Sequence, residues 1–147
     1  RRHMWPLASL EWVDFTGQTA FIRAAQSADV PLMKLLLAKG ADPAITTFNG
    51  TSALMAAAGV NWVIGQTYSE SPARWLEAVQ LCLEVGLDVN ALNDMGLGAV
   101  HGAANRGSDD IVLFSSESNF TGRCSGANGA FMTWDGSDWE KTGQKIG

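Results

Sequence analysis

Across its 147 residues the chain is 46% hydrophobic and 17% charged, with a net charge of −5. That apolar fraction can fill a core, which excludes wholesale disorder. Residues 14–114 carry 5 Lys/Arg against 10 Asp/Glu with no basic stripe, so nucleic-acid binding lacks its electrostatic footprint. The stretch from Pro43 to Ser69 is uncharged for 27 residues, long enough to span a bilayer. It contains Pro43, Asn49, Gly50, Asn61, Gly65 and Gln66, whose polar and backbone groups would go unpaired in hydrocarbon. Membrane insertion is rejected.

Self-comparison along the chain reveals a repeat. Asp14-Phe-Thr-Gly-Gln-Thr-Ala-Phe-Ile-Arg-Ala-Ala25 is echoed by Thr47-Phe-Asn-Gly-Thr-Ser-Ala-Leu-Met-Ala-Ala-Ala58 and again by Asn93-Asp-Met-Gly-Leu-Gly-Ala-Val-His-Gly-Ala-Ala104. A second element, Leu35-Leu-Leu-Ala-Lys-Gly-Ala-Asp42, returns as Leu81-Cys-Leu-Glu-Val-Gly-Leu-Asp88. Gly17 and Gly50 are 33 residues apart, whereas Gly50 and Gly96 are 46 apart. The extra 13 residues fall inside the second unit, near Val60 to Arg74. Each unit predicts two short helices, with apolar stripes such as Phe21, Ala24, Ala25 and Leu32, Met33, Leu35, Leu36. Asp29 before Pro31 and Ser71 before Pro72 read as helix starts, and Gly40 and Gly86 as left-handed helix ends.

These motifs resemble the ankyrin repeat, in which Gly-x-Thr-Pro-Leu-His-x-Ala-Ala precedes Leu-Leu-x-x-Gly-Ala-Asp. The resemblance covers residues 14–114 and implies an all-α solenoid of helix-turn-helix units with short β-turn or hairpin tips. Residues 14–46 form the first repeat, 47–92 the second with its insertion near 60–74, and 93–114 an incomplete third. Residues 1–13 read as a linker or the end of a preceding repeat, with further repeats expected on the N-terminal side. The family's Thr-Pro-Leu-His start is degraded to Thr19-Ala-Phe-Ile, Ser52-Ala-Leu-Met and Gly98-Ala-Val-His101. No copy therefore keeps both the threonine and the histidine that bond each other in the family.

After Ile111-Val-Leu-Phe114 the pattern stops, and residues 115–147 become rich in Gly, Ser, Thr and Asn. Two readings stay open: an irregular C-terminal tail, or a truncated or out-of-frame continuation of the repeat. Trp134 and Trp139 could fold back over the exposed end, because a terminal repeat leaves one apolar face uncovered.

Little here supports chemistry. His101 occupies the structural histidine place of the repeat, with no nucleophile set beside it, and His3 reads as solvated. Cys82 lies between Leu81 and Leu83 as a buried thiol, and Cys124 has no activating neighbour. No zinc or disulfide spacing links the two cysteines. The carboxylates Asp135, Asp138 and Glu140 lack the calcium-loop alternation, and Asn119-Phe-Thr121 is a glycosylation triplet of common occurrence. No enzyme activity and no cofactor are expected. With no apolar leader segment, a soluble and cytoplasmic placement is the default, or periplasmic or secreted if a signal precedes Arg1.

The resemblance instead implies a protein-binding module, gripping its partner through turn tips and the ends of first helices. Carried over, those positions are Phe15, Thr16, Gln18, Gln26 and Ser27, then Phe48, Asn49 and Thr51, then Asp94, Met95, Leu97, Asn105 and Arg106. Phe15, Phe48 and Met95 form an apolar ridge of the kind enriched at interfaces. The insertion adds Trp62 and Tyr68, as a binding finger or as a plug over the helices. Two alternatives accompany this reading: a regulatory or targeting segment of a larger, possibly enzymatic protein, and a specific enzyme inhibitor suited to a basic partner.

Overall fold

The computed structural model describes residues 13–63, 67, 68 and 70–112, and the backbone of 123–125, 131–134 and 139–141. The N-terminal linker, His3 and the Asn119 triplet lie outside those residues. So do the side chains of Cys124, Trp134, Trp139 and the tail carboxylates.

Five helices form the stack: α1 (Ala20–Ser27), α2 (Val30–Ala38), α3 (Ala53–Ala58), α4 (Pro72–Glu84) and α5 (Ala99–Arg106), with 109–112 also helical. Helix α3 packs against α1, α4 and α5, and all six of its residues, Ala-Leu-Met-Ala-Ala-Ala, are buried. Enclosure on every side explains why this segment carries no charge, since an unpaired ion there would have to shed its water. The uncharged run does not stay inside throughout, however. At its start Ile45 and Phe48 are exposed, because they sit on the turn tip rather than on the helix.

Both helix ends follow the chemistry of their residues. The Thr19 hydroxyl accepts from the Ile22 N–H (3.2 Å), Ser52 from Met55 (3.3 Å) and the Asp29 carboxylate from Leu32 (3.1 Å). At Gly40 (φ +85°) and Gly86 (φ +90°) the chain turns left-handed, as expected. Gly40 and Ala41 donate back to Leu37 and Leu36, and Gly86 and Leu87 to Leu83 and Cys82. This paired motif satisfies carbonyls that a helix end otherwise orphans. Closer still is the approach of α3 to α5. A methyl group at Gly102 would come within 2.5 Å of the Val60 nitrogen, so only glycine fits there.

The degraded repeat starts use three different caps. In the second copy the Met55 sulfur accepts from the Ser52 N–H (3.5 Å). In the third, Gly98 has no side chain to accept a hydrogen bond, and its N–H instead donates to Nδ1 of His101 (3.1 Å). Between α2, α4 and the core sit Met33, Val79 and Cys82, all fully buried, and burial pushes the Cys82 thiol up to about 12.

The C-terminal segment was expected to be irregular, yet its ten described residues are strands. Arg123–Ser125 (β1), Phe131–Trp134 (β2) and Trp139–Lys141 (β3) form an antiparallel sheet in the order β1-β2-β3, with Cys124 opposite Met132 and Thr133 opposite Glu140. Runs of three or four residues are too short to print a clear alternation in the sequence.

The His101 cap makes stability depend on pH. Burial lowers its pKa below the ordinary 6.5, and protonation of Nδ1 would abolish its acceptance from Gly98. The unfolded chain therefore binds this proton more tightly, so the contribution is whole above about 6.5 and is lost as pH falls below that value. His101→Met imitates the sulfur cap of the second repeat and removes the titration. Thermal melts at pH 7.5 and 5.5 are expected to show a smaller acid-induced drop in Tm for this variant than for the wild type; an equal drop would contradict the assignment.

Candidate interaction surface

The turn tips are joined edge to edge by backbone hydrogen bonds. Phe48 N–H donates to Thr16 O (3.0 Å), and Asp94 N–H to Asn49 O (2.9 Å). Behind them runs a side-chain network that fixes the tip spacing. Asn93 Nδ2 donates to Thr51 Oγ1 (3.0 Å), which donates to Asn49 Oδ1 (3.0 Å), while Thr47 Oγ1 also donates to that oxygen. The Asn93 carboxamide oxygen in turn accepts from the N–H groups of Met95 and Leu97. Such satisfied networks hold a turn in one geometry.

On this frame Phe15, Phe48 and Met95 stand exposed, Phe48 by 80%, with its ring laid against Gly17. Thr16 and Asp94 are exposed as well, and Gln18, Asn49 and Leu97 are half-buried. The tips carry Asp14, Asp42, Asp88 and Asp94, and no Lys or Arg occurs in residues 13–19, 41–52 or 88–98. Hydrogen bonds from the Thr16 side chain and backbone hold the Asp14 carboxyl below its usual range. The edge is thus apolar and acidic.

Three expected surface residues are interior instead. Thr51 is spent in the tip network. Gln26 is buried, with its amide accepting from Gln18 (2.8 Å) and donating to the Asn61 carbonyl (3.0 Å). Asn61 extends the chain by donating to Asp14 O (2.9 Å). Arg106 is only 7% exposed, and its guanidinium donates to Ala57 O (2.7 Å) and Gln26 O (3.2 Å). Its charge lies 4.7 Å from the Trp75 ring centre and 5.5 Å from that of Trp62. Burial pushes its pKa down to about 10, which leaves it charged at neutral pH. Ser27 turns back on its own helix, its hydroxyl donating to Arg23 O (2.9 Å), and its carbonyl accepts from Glu70 N–H.

The two aromatics of the insertion sit differently. Trp62 is half-buried over Arg106, and its carbonyl accepts from Asn105 (3.2 Å), so this part plugs the stack. Tyr68 is 73% exposed and donates to Glu70 (3.2 Å), and this hydrogen bond, followed by the carboxylate charge, raises the phenol pKa.

Beside the third tip lies an open groove of about 250 Å³, lined by Gly59, Val60, Met95, Leu97, His101, Gly102 and Asn105. Met95, Leu97 and Asn105 were expected contact positions, but the groove they line was not, because its floor exists only where Gly59 and Gly102 let the two helices meet. Among the described residues no group of three or more His, Cys, Asp or Glu could hold a metal ion. No described helix is long and apolar enough to cross a membrane.

Residues 16–48 match the family model of the ankyrin repeat. The human ASB11 ankyrin repeat domain has the same fold, with a TM-score of 0.57 at 22% identity over 69% of this chain. The stack is an ankyrin-repeat solenoid. The chain spans 40% of the length of that ASB11 domain. A search of curated proteins gives no significant match. Ankyrin repeats generally mediate protein–protein interaction and are generally non-catalytic.

The two aromatics of the insertion should separate in a stability measurement. Trp62→Ala removes a large ring from the buried guanidinium and is expected to cost about 2–4 kcal/mol, toward the lower end of the range for deleting a core aromatic because Trp62 is half-buried. Tyr68→Ala should stay within about 0.5 kcal/mol of wild type in urea unfolding, as for other exposed positions. Similar values for the two would contradict this division.

Proposed function

We propose that this ankyrin solenoid is a protein-binding module whose partner lies along the tip edge and the adjoining ends of α3 and α5. The observation that carries the reading is the exposed ridge of Phe15, Phe48 and Met95 on tips held rigid by hydrogen bonds. Aromatic side chains bury large area with few rotatable bonds, and a flexible methionine adapts to the surface it meets, which suits both to interfaces. The contacting set becomes Phe15, Thr16, Gln18, Phe48, Asn49, Asp94, Met95, Leu97 and Asn105, with Tyr68 beside them. Gln26, Thr51 and Arg106 drop out because their polar groups are committed internally. Trp62 supports the surface from beneath.

A specific inhibitor of a basic enzyme would use this same acidic edge, and the four tip aspartates favour such a partner over an acidic one.

A photo-crosslinking residue placed at position 48 or 95 tests the edge against an exposed control at Leu35 on α2, which is 54% exposed beside 47% for Met95 and 80% for Phe48. In extract of the source cells, protein adducts should form at 48 and 95 in clear excess over 35. Equal labelling at all three positions would contradict the proposal.

A further inference from the structure

We infer that the groove beside the third tip takes a single large apolar side chain from an extended peptide segment of the partner, flanked by Lys or Arg. The inference rests on the interaction-module reading and names what one part of that surface recognises.

Size sets the first limit. A dry cavity of roughly 150 Å³ accepts a benzene ring, while drug-sized ligands and cofactors occupy roughly 300–1,000 Å³. The groove, at about 250 Å³, fits one aromatic or long aliphatic side chain and little more. Its walls, Val60, Met95 and Leu97, are apolar and offer such a group dispersion contacts and release from water.

Polar groups on the floor set the second. His101 Nδ1 accepts from the Gly98 N–H, so the neutral ring carries its proton on Nε2 and has a donor to give. Asn105 spends its Nδ2 on the carbonyls of Gly59 (3.4 Å) and Trp62 (3.2 Å), which leaves its carboxamide oxygen as an acceptor. His101 and Asn105 are four apart on α5, a spacing that puts neighbours about 5–6 Å from each other on one helix face. One donor and one acceptor side by side on the same helix face suit the C=O and N–H of a residue in extended backbone, which point to the same side. The groove therefore reads a main chain and an apolar side chain together.

Charge sets the third. Asp94 adjoins Met95 at the rim, Asp88 precedes the same tip, and the one nearby arginine, Arg106, is sealed beneath Trp62 and Trp75. Residues flanking the bound side chain face a negative rim, which favours Lys or Arg and disfavours carboxylates.

A displayed library of random 12-residue peptides, selected against the full chain, tests this directly. The expected consensus is one large apolar residue with Lys or Arg within two positions and no Asp or Glu. Binding of the selected peptides should weaken about tenfold in His101→Met, which keeps the helix cap but loses the Nε2 donor. It should weaken comparably in Met95→Ala, with Tm unchanged in that variant, and it should fall with added salt. Peptides lost on Phe48→Ala but indifferent to His101→Met and Met95→Ala would overturn the groove assignment and leave the tip edge standing as the interface. An acidic consensus, or no selected peptide, would overturn it too. So would sedimentation equilibrium showing a dimer that Met95→Ala dissociates, since the occupant would then be a second copy of the chain.

Discussion

A buried arginine ties the stack together. Arg106, in the last turn of α5, reaches past α3 to the carbonyl of Gln26 in α1, 80 positions away in the chain. Its two carbonyl partners, Gln26 O and Ala57 O, lie in the last turns of α1 and α3. There a helix provides no acceptor satisfaction of its own and carries the negative end of its dipole. One cation therefore closes two helix ends from a third helix. The two indole rings replace part of the hydration that the guanidinium gives up. Among the described residues no carboxylate pairs with it, so the backbone and the aromatics carry the whole compensation.

This constraint explains the insertion. Trp62 opens it and Trp75 lies in the first turns of α4, so the additional residues bring both rings onto Arg106. Asn61, at a left-handed φ of 64°, turns the chain while linking Gln26 to the backbone of Asp14. With the floor fixed in this way, the tips behind Thr47, Asn49, Thr51 and Asn93 present their side chains from a rigid edge. A rigid edge loses little entropy on binding.

Much of the fold was legible because each repeat encodes its own local geometry. Asp29 caps α2, and Gly40 and Gly86 end their helices left-handed, as their positions in the motif imply. The interaction surface was only half legible. Phe15, Phe48 and Met95 stand where the repeat pattern puts tip residues, and they are exposed. Gln26 and Arg106 occupy positions that the same pattern assigns to the outside, yet both are interior. Their partners lie 35 to 80 residues away, and no local spacing records a contact at that range. Arg106 as the single basic residue of the third repeat, with tryptophans at 62 and 75, was the available sign. Met95, Leu97 and Asn105 were legible as contact positions, but not the groove they line, since it depends on glycines 59 and 102 meeting across two repeats.

The most direct test of this construction is equilibrium urea unfolding of Arg106→Met, followed in parallel by tryptophan fluorescence and far-UV circular dichroism. Methionine fills much of the space but donates nothing, which strands two buried carbonyls at about 1–3 kcal/mol each. The tie predicts a loss of about 3 kcal/mol or more, with the tryptophan fluorescence transition, to which Trp62 and Trp75 contribute two of the six rings, moving ahead of the helical signal. A variant as stable as the wild type, with coincident transitions, would contradict it.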